Sequence, residues 1–308
     1  MVEGKDEEER MEQIIAYIIL CFIFLISFIL TCSVLFFAKR SSIHNSFIFK
    51  IITNLIIVAT IHSFSYTLNY VEKGENKFWD FLCTLQSIML ISFCQIQEVW
   101  VILITIISFQ GIIKNQLYIQ KEKKRYYLIL IFVYIVIPAV ILIPYGVNGA
   151  LGKHDTYCWV NKENENETIF SGILFVLKNL YIMINLVIII IMFVGVYLDK
   201  NNSNDYDKRM KFCLKTGVFV IIQLIINIPM TIIRLSKTID INIGSFISSS
   251  SGIFYPIYIA WYTEIICSKK KESSETNDTV EPQDNIMETT LKLMNEDVHL
   301  NDSIDYYS

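Results

Sequence analysis

The chain has 308 residues, 53% of them hydrophobic and 18% charged, a balance that points away from a soluble domain and towards a membrane protein. The net charge of −4 is uneven: from Ser268 onward four lysines face ten acids, leaving the rest of the chain at about +2. That acidic end argues against nucleic-acid binding, and no Cys/His spacing among the seven cysteines and four histidines suits zinc.

Residues 1–12 read as a short acidic head. They contain no basic n-region or small-residue cleavage site, so a removable signal peptide is not expected. Seven apolar runs follow between residues 13 and 267, at about 14–38, 46–70, 79–112, 126–147, 169–198, 212–235 and 245–267. About 20 apolar residues at 1.5 Å rise cross a bilayer, so each run is long enough to span it. The third run is the most telling, because Glu98 is its only formal charge from Phe81 to Ile113. Prolines lie inside the later runs, at Pro138 and Pro144 in the fourth, Pro229 in the sixth and Pro256 in the seventh. Neighbouring helices can satisfy the carbonyls that such prolines free. Residues 268–308 read as an acidic, disordered tail.

Basic residues set the orientation. One set of connections holds Lys39, Arg40 and Lys50, then Lys114, Lys121, Lys123, Lys124 and Arg125, then Lys200, Lys208, Arg209, Lys211 and Lys215, with Lys269–Lys271 after the last run. The other set holds Lys5, Arg10, Lys73, Lys77, Lys153, Lys162, Arg234 and Lys237. Sixteen against eight predicts the N-terminus outside and the tail in the cytoplasm.

With that orientation, Cys83 falls at the outer end of the third run and Cys158 in the second outer loop. The other cysteines sit in a run or near the cytosol. The outer face is oxidising, so a Cys83–Cys158 disulfide is expected, the alternative being two free thiols. Asn166-Glu167-Thr168 is a glycosylation sequon in the same loop, close to the fifth run. Matches at Asn201, Asn277 and Asn301 fall on the cytosolic side and should be silent. Cys267, just before three lysines at the membrane edge, is a palmitoylation candidate.

Seven spans, an outside N-terminus and this cysteine pair point to a G-protein-coupled receptor. Cys83 and Trp100 at a spacing of seventeen, Pro138, and the Cys158-Trp159 pair go further. So do SFCQIQEVW in the third run, KKRYYLIL entering the fourth and YCWV in the outer loop. Together they resemble the cyclic-AMP-receptor-like family of protist receptors, whose skeleton the secretin and adhesion receptors share. Arg234 and the Ser248–Gly252 run with Tyr258 agree more loosely. The resemblance covers about residues 11–267. No acidic-Arg-Tyr triplet ends the third run, and the seventh carries Tyr255-Pro256-Ile257-Tyr258 instead of an Asn-Pro-x-x-Tyr motif, which separates the chain from rhodopsin-like receptors. The head is too short for a hormone-binding or autoproteolysis domain. Recognition of cyclic AMP is not carried over, because no matching ligand motif is present.

The resemblance implies a plasma-membrane receptor that senses an extracellular ligand, of small or nucleotide-like kind, and activates a heterotrimeric G protein through movement of the sixth helix. With almost no ectodomain, the ligand would bind between the helices or under the outer loops. Candidates for reading it are Glu98, Lys178, His62, Arg234 and Trp159. An ionisable group inside a membrane is a functional hypothesis by default, although Glu98 and Lys178 also fit a structural ion pair and Arg234 fits snorkelling. Trp100, Pro138, Pro229, Gly252 and Tyr258 are candidates for packing and switching. Lys121, Lys123, Lys124, Arg125, Lys208, Arg209 and Lys211 border the cavity that would open to the G protein. Orientation and anionic-lipid attraction explain those charges equally well. Hydroxyl groups among the tail acids, Ser273, Ser274 and Thr276 included, would serve a receptor kinase or an arrestin-like partner. No cofactor and no enzymatic activity are expected. Two other classes remain: a transporter or channel, disfavoured because seven spans divide poorly into two equal repeats, and an intramembrane hydrolase, disfavoured by the lack of clustered His/Asp ligands. A retinal-binding pump would need a lysine in the seventh run, and residues 245–267 contain none.

Overall fold

The computed structural model describes residues 3–40, 47–68, 77–113, 123–153, 158–161, 164–199, 206–236 and 241–262. Lys121, Cys267 and the acidic tail lie outside the described residues. So do the side chains of Lys123, Lys124, Arg125, Lys208 and Arg234, whose backbone is helical.

The described chain is almost wholly helical. In order the elements are α1 (Glu3–Arg40), α2 (Phe47–Ser65), α3 (Lys77–Ile113), α4 (Lys123–Ile131), a π-helical turn (Phe132–Val136), α5 (Ile137–Val147), β1 (Leu151–Lys153), β2 (Cys158–Val160), α6 (Glu167–Leu198), α7 (Tyr206–Ser236), α8 (Ile241–Ser249) and α9 (Ser251–Tyr262). Five helical stretches are long and apolar enough to cross a membrane: Met11–Lys39, Phe78–Ile112, Tyr126–Val147, Glu167–Leu198 and Arg209–Pro229. Phe49–Ser65 is a shorter apolar helix. The chain is therefore a multi-pass, all-α membrane protein, with one small hairpin as its exception. Leucine, isoleucine and phenylalanine remain exposed along α1, α5 and α6, the pattern expected where lipid is the solvent.

The helices depart from the apolar runs at several points, and two departures in the later runs have a clear local cause. Helix α1 starts at Glu3, inside the acidic head. The fourth run contains the π-helical turn just before Pro138. Proline has no N–H to donate to Tyr134, and the Ile137 N–H reaches back five residues to the Phe132 carbonyl. The seventh run bends at Ser250, between α8 and α9. There Ser249 and Ser250 hydroxyls donate back to the Phe246 and Ile247 carbonyls at 3.0 and 2.6 Å, which bends a helix. Main-chain bonds from Ser250 to Phe246 and from Phe254 to Ser250, each 3.0 Å, carry the helix across the bend. The segment is kinked rather than unwound.

Helix α3 is the central pillar. Some 78% of its apolar window is enclosed by other elements, against 28% or less for α1, α4–α5 and α6. It packs against α2, α5, α6, α7 and the hairpin. The main core gathers Ile52, Leu55 and Ile56 of α2, Trp100 and Ile104 of α3, Phe219 of α7, and Tyr255 and Ile259 of α9. Between α1, α2 and α9 small polar residues permit close approach. Thr31 and Thr60 hydroxyls lie 2.7 Å apart, and Ser63 donates to the Ser249 carbonyl. Gly252 sits at this junction, where an added Cβ would overlap the Ser27 and Ser63 hydroxyls.

At one end of α3 the Cys83–Cys158 disulfide fastens the β1–β2 hairpin to the helix, with Cα atoms 5.1 Å apart. The strands pair antiparallel in the register Leu151 with Val160 and Lys153 with Cys158. Helix α5 feeds this hairpin through Gly149, at φ +61°, a left-handed position that suits glycine after a helix end.

Candidate functional site

Glu98 lies almost midway along α3. Fifteen residues separate it from Cys83 and fourteen from Ile112, or about 20 Å in either direction at 1.5 Å rise. It is buried. Two amides answer it from α7: Asn227 Nδ2 donates to Oε1 at 2.8 Å, and Gln223 Nε2 donates to Oε2. These residues are one helical turn apart and so face the same neighbour. Gln223 Oε1 in turn accepts from Asn185 Nδ2 of α6 at 2.9 Å. One carboxylate thus links α3, α6 and α7 by a polar chain. Its free end is Asn185 Oδ1, buried with no hydrogen-bond partner.

The other polar residues expected at this depth group around the chain without joining it. The Lys178 ammonium is within electrostatic reach of both Glu98 and His62. Among the described residues, however, no ion pair or hydrogen bond joins Lys178 to Glu98. His62 is buried on α2 with its ring 5.3 Å from that of Tyr66. Tyr181 of α6 and Tyr255 of α9 also lie within electrostatic reach of Glu98. One residue earlier on α3, the Gln97 side-chain oxygen accepts from the Ser251 hydroxyl of α9 at 3.3 Å.

The packing candidates have definite neighbours. Trp100 is fully buried, its ring 5.9 Å from Tyr134 in the π-helical turn. Tyr134 donates to Asn54 Oδ1 at 3.0 Å, and Asn54 donates to the Tyr126 hydroxyl at the same distance, so α2 is tied to the fourth run. Pro138 is buried immediately after that turn. Tyr258 stands edge-on to Phe219 at 4.7 Å and donates its hydroxyl to the Lys215 carbonyl, fastening α9 to α7. Pro229 interrupts α7 two residues beyond Asn227.

The two ends of α3 differ in chemistry. At the disulfide end, Gln86 donates to the Ser65 carbonyl at 2.9 Å and accepts from the Cys158 N–H at 3.1 Å. Trp159 packs between two small cores, one of Ile91, Tyr145 and Phe170 and one of Leu20, Tyr66 and Leu90. Asn166 is exposed in the turn just before α6. At the opposite end, Arg209 of α7 is paired with Asp199 at the end of α6 and donates to the Ile112 carbonyl of α3 at 2.6 Å. That guanidinium closes α3, α6 and α7 together where the sequence offers only a basic connection.

Asn185, Gln223, Asn227 and Asp199 are residues of the candidate site that are not among the candidates read from the sequence. Two amides one turn apart in an apolar helix were the available signal. Among the described residues no group of three or more His, Cys, Asp or Glu side chains is placed to hold a metal ion. No protein-family model matches the chain, and no curated protein matches it.

Proposed function

We propose that the chain is a seven-helix receptor, with α2 and the kinked α8–α9 pair as its two remaining spans. The disulfide end faces outward and the Arg209 end faces the cytoplasm. It responds to an extracellular ligand by activating a heterotrimeric G protein. The observation that carries this reading is the bond pattern of Glu98, a buried carboxylate that holds α7 to α3 at mid-depth from below Pro229. A helix held there and again at Arg209, with a proline above both ties, has two natural positions. In one the ties are made and the inner end is closed. In the other α7 swings outward about Pro229 and opens a cavity bordered by Lys208 and Arg209. A ligand that prefers the second position shifts the population towards it. The resemblance to cyclic-AMP-receptor-like proteins, the outer disulfide and the basic inner border support the same assignment.

The deciding experiment places the full chain in lipid nanodiscs with a panel of purified G-protein heterotrimers and follows GDP-for-GTP exchange. The chain should accelerate exchange over empty discs for at least one heterotrimer. Absence of acceleration with every heterotrimer, together with solute flux in sealed vesicles carrying the chain, would assign it to the transporters instead.

A further inference from the structure

A groove of about 530 Å³ runs along the membrane-facing side of α7, between α6 and α9. This volume lies within the range of about 300–1,000 Å³ typical of ligand pockets. Its walls are apolar, with Leu186 and Phe193 from α6 and Leu214 and Ile221 from α7. Leu214, Ile221 and Trp261 are exposed, so the groove opens towards lipid and not into the bundle. One end differs. Lys211 and Lys215 stand one turn apart there, and the Lys215 ammonium sits 6.0 Å from the centre of the Trp261 ring. Among the described residues no acidic side chain lines the groove.

We propose that this groove binds an anionic phospholipid, its headgroup phosphate held by Lys211 and Lys215 and one acyl chain laid along α7. Length supports a lipid over a compact solute. From Lys211 to Leu224 the lining covers thirteen residues of helix, about 20 Å, while one leaflet of hydrocarbon is about 15 Å deep. Among the described lining residues the charge lies at the end where a headgroup would sit, and the rest are apolar or glycine. Charge selects an anionic lipid over a zwitterionic one, because each ammonium near the surface adds attraction to a net negative headgroup. Trp261 suits the same boundary, since indole rings concentrate at the headgroup level. The proposal is independent of the receptor reading and needs only that the chain spans a bilayer.

The test uses tryptophan fluorescence of the full chain in phosphatidylcholine vesicles. A fixed minor fraction of the lipid is either phosphatidylserine or phosphatidylcholine brominated along its acyl chains. The Trp261 contribution is taken as the difference from Trp261→Phe, because Trp79, Trp100 and Trp159 also emit. Brominated phosphatidylserine should quench Trp261 more strongly than brominated phosphatidylcholine. In Lys211→Gln and Lys215→Gln variants the preference should fall about fivefold for each lysine removed. The wild-type comparison of the two lipids needs neither lysine variant, so a misfolded variant leaves it intact. Equal quenching by both lipids overturns the proposal, as does a preference that survives the double substitution. Stronger quenching by a brominated sterol would assign the groove to sterols. Quenching by none of them, with the chain crosslinking as a dimer, would assign it to a second copy.

Discussion

Glu98 shows what one residue contributes when the solvent around a helix is hydrocarbon. A carboxylate facing lipid is costly, so its position alone says that it faces protein or water. Which protein groups it faces was not legible, because its partners lie 125 and 129 residues further along and an amide in an apolar run does not name its neighbour. Lys178 attracted attention because it carries the opposite charge at comparable depth, yet the direct hydrogen bonds come from neutral Gln223 and Asn227. This difference has a measurable consequence. Unfolding of Glu98→Gln, Asn227→Leu and the double variant in detergent should give a coupling of about 1–2 kcal/mol, in line with charge-assisted and interhelical hydrogen bonds in membranes. The corresponding cycle with Lys178→Met should give a smaller coupling, because that interaction acts across a gap. Equal couplings, or a larger one for Lys178, would show that the two charges pair directly.

The helices themselves were largely legible, since a bilayer demands long apolar runs and leaves few other ways to satisfy a backbone. Their irregularities were not. The π-helical turn and the bend at Ser250 depend on where freed carbonyls and serine hydroxyls find partners, which residue types alone do not fix. The disulfide was legible because the basic residues placed only two cysteines near the oxidising side. It closes a chain separation of 75 residues and holds the hairpin against α3. Replacing both Cys83 and Cys158 by serine should therefore lower stability by roughly 2–4 kcal/mol, read by thermal unfolding in detergent. An unchanged melting temperature would show that Gln86 and the Trp159 packing hold the hairpin unaided. At the junction of α1, α2 and α9, Gly252→Ala should cost about 1–3 kcal/mol, because the new methyl group meets two hydroxyls on opposing helices. Adding Ser27→Ala and Ser63→Ala should recover part of that loss. No recovery would place the strain elsewhere in α9.

Across the whole molecule, the asymmetry of lysine and arginine predicts two different faces, and the ties at the two ends of α3 differ in kind. One end is fixed by the Cys83–Cys158 covalent bond. The opposite end is closed by Arg209, which the sequence marks only as one basic residue of a connection and whose pairing with Asp199 and the Ile112 carbonyl only the fold supplies. In the proposed receptor, the end held by breakable polar contacts is the end that moves. The most direct measurement of that claim is the distance between spin labels on Gln110 near the end of α3 and Asp207 at the start of α7. It is taken by pulsed electron paramagnetic resonance on the full chain in nanodiscs, with Cys21, Cys32, Cys94, Cys213 and Cys267 replaced. The account predicts that Asp199→Asn, and separately a nucleotide-free G protein on the wild-type chain, each populate a distance longer by about 5 Å or more, on the order of one helical turn. A single unchanged distance under both conditions would contradict it.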